Sequence, residues 1–298
     1  MSKKTALLFP GQGSQSVGMQ KDVISSKKAK EVYRKASNLL NFDIRELISN
    51  GPEEKLDRTK YAQPAVFIDS YIRYRIIRGK INKISYLVGH SLGEFTALAA
   101  GGSISFEEGL NLVVRRGELM DSANQGGSMI AVLGLNIEEV KEVLDRIVNP
   151  PVIANYNSPK QIVLSGSEEQ LTQAEEEISP AGKFIKLDVS GPFHSPFMEG
   201  AKEKLGDYIE SINFNDPEIP VFSAVSCQME AKGDKLKNLL TQQMTSPVHW
   251  VKAVNKMSEK GVSSGIELGK SNILCNLINR ITSDIETRTF KEVLESEI

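Results

Sequence analysis

Apolar and polar positions alternate between two periods along this chain. Residues 5–9 form a β-prone run that breaks at Pro10-Gly11-Gln12-Gly13-Ser14-Gln15, which predicts a strand emptying into a Gly-rich turn. Helical spacing follows over residues 27–40 and 64–78, with Pro64 expected in the first helical turn. The second of these helices carries Arg73, Arg75, Arg78 and Lys80, read as a solvated basic face. Residues 84–88 are a second apolar run, and a small-residue helix over 92–100 starts almost at once. Ser105 and Glu108 form a capping box opening a helix to about 121. Strands alternating with helices predict a mostly parallel sheet.

The middle of the chain has another rhythm. A strand over 129–135 precedes Asn136-x-x-Glu139, which caps a helix to 148; strands follow at 152–155 and 161–165. Ser167-x-x-Gln170 then caps a helix to 178, and 183–189 is a closing strand. The order β-α-β-β-α-β is the ferredoxin-like signature. Helices at 196–212, 235–244 and 248–260 and strands at 221–224 and 265–268 resume the longer pattern. The expected architecture is an α/β body over 1–126 and 191–298 with a small subdomain, 127–190, inserted into it.

Composition narrows the function. Among 298 residues, 36 Lys+Arg face 38 Asp+Glu, a net charge of −2 that argues against a general nucleic-acid binder. Cys227 and Cys275 have neither metal-site nor disulfide-framework spacing, so no metal is implied and a reducing compartment is expected. Apolar runs are too short for a membrane span or a secretion signal, which makes cytoplasm the expected location.

The pattern G-x-S-x-G occurs at Gly89-His90-Ser91-Leu92-Gly93 and at Gly261-Val262-Ser263-Ser264-Gly265. A nucleophile elbow is a sharp strand-to-helix turn. Ser91 has that context; Ser263 follows a helix and precedes a strand, an ordinary turn. A serine nucleophile needs a base, and there are three histidines. His90 neighbours the nucleophile and suits packing or hydrogen bonding, and His249 suits a helix start. His194 lies in an irregular segment at the subdomain junction, where function concentrates. No Asp is singled out as a triad acid. Arg116 has Gly109, Leu112, Val113, Leu119, Met120 and Ala123 as helical neighbours, so its guanidinium projects from an apolar stripe. It needs an anion there, either a buried Asp or Glu or a substrate carboxylate. Gly269-Lys270-Ser271 and Gly11-x-Gly13 both fail the nucleotide-binding motifs.

Together these segments resemble the malonyl-CoA:acyl carrier protein transacylases, including the discrete acyltransferases that serve polyketide synthases. The resemblance rests on 9–15, Gln63-Pro64-Ala65, 89–95, Arg116-Gly117-Glu118-Leu119-Met120, 154–159, Gly191-Pro192-Phe193-His194-Ser195, and Gln243 ahead of Pro247-Val248-x-Trp250. It implies an α/β-hydrolase-like large subdomain and a ferredoxin-like small one with the active site between them. Ser91 is then the nucleophile and His194 its base, oriented by carbonyl oxygen instead of an acid. Gln12 and Leu92 supply the oxyanion amides, Arg116 pairs with the malonyl carboxylate, and the Gln243 carbonyl helps hold the histidine. His90 joins the substrate site, and Phe193 resembles the choice made by malonyl-selective members. Malonyl-CoA and an acyl carrier protein are the expected substrates, with no cofactor, nucleic acid or membrane, in a monomer; the Arg73–Lys80 face is a candidate carrier dock. Phe95, Lys60, Ala62 and the 269–272 loop depart from the common pattern. An acyl hydrolase is the alternative, and Arg116 argues against it, because neutral chains have no use for a cation.

Overall fold

The computed structural model describes residues 3–123, 126–179 and 181–296. In chain order the first half contains β1 (Lys4–Phe9), α1 (Lys27–Ser37), α2 (Ile44–Asn50), α3 (Glu53–Asp57), α4 (Thr59–Ile77), β2 (Ile84–Gly89), α5 (Leu92–Ala100) and α6 (Phe106–Ser122). The middle contains β3 (Gly127–Leu133), α7 (Ile137–Leu144), β4 (Val152–Ser158), β5 (Gln161–Ser167), α8 (Glu168–Ile178) and β6 (Lys183–Lys186). The rest contains α9 (Glu199–Glu210), β7 (Val221–Ser223), β8 (Gln228–Glu230), α10 (Gly233–Leu240), α11 (Trp250–Glu259), β9 (Val262–Glu267), α12 (Ile273–Asn279), β10 (Glu286–Thr289) and α13 (Phe290–Glu295).

Two sheets organise these elements. The larger has the order β10-β9-β1-β2-β7-β8, parallel except for β8 at its edge. The smaller, antiparallel throughout, has the order β4-β5-β3-β6. Alternation along β3 shows how the two are joined. Ile130 and Val132 face α7 and α8 in a separate apolar cluster, whereas Met129 and Ala131 face the main core. Both faces of the small sheet are therefore covered. Its edge is also tied to the segment before α11, where Tyr156 N–H donates to the Val248 carbonyl at 2.9 Å and Val248 N–H to that of Ala154 at 2.8 Å.

The predicted capping boxes at Ser105, Asn136 and Ser167 are all formed. Two expectations need correction. Helix α4 starts at Thr59, so Pro64 lies inside it. Arg58, the N-cap, makes no side-chain capping bond, so no local signal marks that start. Nor is the face over residues 73–80 solvated throughout: Arg73 is fully buried between Asp69 and Asp22, whereas Arg78 and Lys80 are exposed. Arg75 and Arg78 are ion-paired to Glu31 and Glu218.

Candidate active site

Strand β2 delivers the chain to the elbow, and α5 leaves it. Ser91 sits at φ 49°, ψ −107°, a conformation that a non-glycine residue holds only under constraint. The flanking glycines provide that constraint. A Cβ on Gly89 would lie 2.1 Å from Glu94 N, and one on Gly93 would lie 2.0 Å from the Phe9 carbonyl oxygen, so only glycine lets α5 approach β1 and β2 this closely. Ser263 instead lies within β9, following the turn at Gly261.

His194, also at positive φ (56°), brings its Nε2 to 2.8 Å from Ser91 Oγ. Its Nδ1 lies 2.9 Å from the Ser246 carbonyl oxygen and 3.2 Å from that of Gln243. Carbonyls only accept, so Nδ1 carries the proton and Nε2 presents its lone pair to the serine hydroxyl. Burial, and after it the Arg116 charge, pull the His194 pKa down to about 3. No carboxylate touches the ring among the described residues, consistent with the failure of any Asp to stand out in the sequence.

Arg116 comes from α6 and is 1% exposed. Its Nη1 donates to Gln63 Oε1 at 2.9 Å, and its Nη2 to Ser91 Oγ at 3.1 Å and Gln243 Oε1 at 3.3 Å. The guanidinium lies over Phe95, 5.2 Å from the ring centroid, and its Nε has no partner among the described residues. All its acceptors are neutral. Burial accordingly lowers its pKa to about 10, with Glu94 opposing from a distance. A buried cation with no counter-ion of its own thus stands beside Ser91, whose hydroxyl faces a neutral imidazole.

The acyl transferase domain family matches residues 6–290. The chain is 36% identical over 292 residues to the malonyl CoA-acyl carrier protein transacylase of Bacillus subtilis, covering 95% of this chain and 92% of that protein. It superposes with a TM-score of 0.92 on the same-named protein of Clostridium perfringens, at 35% identity over 99% of this chain and 96% of that one. With a malonyl-transacylase solved in complex with a type II polyketide synthase acyl-carrier protein the TM-score is 0.93, at 32% identity over 98% of this chain and 99% of that one. The chain belongs to the malonyl-CoA:acyl carrier protein transacylase family.

Around Ser91, Gln243 does more than the resemblance implied. Its backbone holds His194, its Oε1 takes Arg116, and its Nε2 donates to the Ser91 carbonyl and to Glu94 Oε2, both at 2.9 Å. Burial raises the Glu94 pKa to about 7 against the pull of these bonds. Glu94, Gln63 and the Ser246 carbonyl were not singled out from the sequence. Glu94 and Gln63 lie inside quoted motifs, whereas a backbone carbonyl carries no sequence signal. No protein acceptor takes the backbone N–H of Gln12 or Leu92 among the described residues, which leaves both free for a ligand oxygen. His90 is removed from the serine chemistry: its Nε2 bonds Asn157 Oδ1 at 2.8 Å and its ring packs 5.5 Å from Trp250. Phe193 is buried in the main core. His249 precedes α11 and stacks on Tyr156 at 4.8 Å.

Proposed function

We propose that Ser91 and His194 carry malonyl groups from malonyl-CoA to the phosphopantetheine thiol of an acyl carrier protein through a malonyl-serine intermediate. The observation that carries this reading is Arg116, a buried cation held by neutral oxygens alone and 3.1 Å from the nucleophile. That position reaches a carboxylate two bonds beyond the attacked carbonyl. A neutral acyl chain would leave the cation unpaired, which disfavours the hydrolase alternative.

His194 Nε2 takes the Ser91 proton as Oγ attacks the thioester carbonyl. The resulting oxyanion rests on the amides of Gln12 and Leu92, and it collapses by breaking the carbon–sulfur bond. His194 returns the proton to the departing coenzyme A thiolate. The carrier thiol then loses its proton to His194 and attacks the ester carbonyl, and as the ester C–Oγ bond breaks His194 returns that proton to Ser91 Oγ, regenerating the serine. Base catalysis contributes about 10²–10⁴-fold and each oxyanion donor about 10²–10³. Malonyl-CoA is a substrate, and the chemistry needs no cofactor. Phe193, next to His194, and His90, next to Ser91, act on the acyl site through the loop and the elbow that carry the dyad. In this reading the body (1–126, 191–298) is α/β-hydrolase-like and the insert (127–190) ferredoxin-like; its strand order, second-third-first-fourth, supports that. The enzyme works as a cytoplasmic monomer, and no described helix is long and apolar enough to cross a membrane.

Intact-mass spectrometry after mixing with malonyl-CoA should show a malonyl adduct that Ser91→Ala abolishes and that a chase with holo carrier protein removes. Loss of the adduct in buffer alone, without carrier loading, would overturn transfer in favour of hydrolysis.

A further inference from the structure

Three segments of the site meet at a residue that touches none of the reacting atoms. Thr59, the first residue of α4, is fully buried. Its Oγ1 accepts from Gln12 Nε2 at 3.0 Å and shares a hydrogen with Ser190 Oγ at 2.7 Å. Gln12 is on the Gly-rich turn after β1, and Ser190 lies four residues before His194 in the same connecting segment. The Thr59 backbone meets the third segment. A Cβ on Gly117 would come within 3.0 Å of the Thr59 carbonyl oxygen and of Lys60 Cα, so α6 rests on this turn at the residue next to Arg116. The hydroxyl is not spent on capping α4, since the start of that helix has no side-chain capping bond.

We infer that Thr59 is a positioning residue, its hydroxyl fixing the oxyanion turn at Gln12 against the segment that carries His194. The inference rests on the assignment of Gln12 to the oxyanion hole. A hydroxyl has one hydrogen and two lone pairs, enough to join both neighbours, and valine has the same shape with neither. Gln12 and Ser190 are only half-buried, so water can satisfy what Thr59→Val leaves unpaired. What water does not restore is the fixed distance between the two segments, and displacements of about 1 Å cost roughly 10²-fold in rate.

The test is the rate of Ser91 malonylation followed by rapid-quench intact-mass spectrometry. Thr59→Val should slow it about 10- to 100-fold with KM for malonyl-CoA changed less than about threefold, and Thr59→Ser should recover most of the loss. Gln12→Ala should lose a similar factor, and the double variant should lose little more than either alone. Ser190→Ala, which cuts the other side of the link, should fall between Thr59→Val and the unmodified enzyme. Wild-type acylation by Thr59→Val overturns the inference. So does a loss that Thr59→Ser fails to rescue, or one that adds fully to Gln12→Ala, since either means bulk packing. Persistence of the adduct in Ser91→Ala would instead defeat the nucleophile assignment, whatever Thr59→Val does.

Discussion

Arg73 and Arg116 are both helical, both essentially inaccessible to solvent, and both laid over an aromatic ring, Phe290 and Phe95 respectively. Their partners differ. Arg73 binds Asp69 at 2.7 Å, Asp22 at 2.8 and 3.0 Å and the Met19 carbonyl at 2.8 Å. Burial would lower its pKa, but the two carboxylates outweigh it and raise it. Arg116 binds two amide oxygens and Ser91 Oγ, and among the described residues no carboxylate lies within 4.0 Å of it. A buried arginine supplied with its own anions is accounted for by the structure, and one denied them is what the proposed malonyl site requires.

The two sites should therefore fail in different currencies. Arg73→Met strands two carboxylates, one of them fully buried, and should cost about 3–5 kcal/mol in denaturant unfolding while leaving turnover of the folded enzyme intact. Arg116→Met removes a charge that lacks a counter-ion and should change stability by less than about 1 kcal/mol, yet depress malonyl transfer far more than acetyl transfer. Comparable destabilisation by the two variants would erase the distinction.

The distinction can also be converted. Gln63→Glu is nearly isosteric and puts a carboxylate where Arg116 Nη1 now finds an amide oxygen at 2.9 Å. Arg116 would then resemble Arg73, its charge already answered. Steady-state kinetics should show KM for malonyl-CoA rising about tenfold or more, in line with about 1.5–3 kcal/mol for a charged hydrogen bond, with acetyl transfer nearly unaffected. An unchanged malonyl KM would mean that the carboxylate is held elsewhere.

Why only one of these arginines was legible in the sequence is a matter of helix environment. α6 is one-sided, so an arginine among Leu112, Val113 and Met120 stands out. Helix α4 is buried along most of its length, Ala62, Phe67, Ile72 and Ile77 included, so its basic residues look like an exposed face although Arg73 is buried and ion-paired. Asp69, one turn before Arg73, was the missed clue. The elbow was legible because strand, glycine, serine and helix are contiguous, and the insert because Asn136 and Ser167 announce its helices. Thr59 was not legible. Its partners lie 47 and 131 residues away, and no local period records a contact of that kind.

The smallest effect is in pH dependence, and it follows from the missing anion. His194 is held at about 3 first by burial and then by the uncompensated charge of Arg116. In the free enzyme its Nε2 stays unprotonated well below neutrality, so kcat/KM should lack an acid limb near the ordinary histidine value of about 6.5. A malonyl carboxylate on Arg116 cancels that like charge, and the acid limb of kcat should therefore lie above that of kcat/KM. Stability is a poorer probe. A depressed histidine pKa makes stability fall as pH drops from about 6.5 toward 3. Glu94, raised from 4.5 to about 7, contributes stability in acid that is lost as pH rises through 7, and the two trends oppose each other over much of the same window. Rates separate what stability superposes. Arg116→Met should move the acid limb of kcat/KM upward, and if that limb stays where it is, burial alone sets the base and Arg116 acts on the acyl group only.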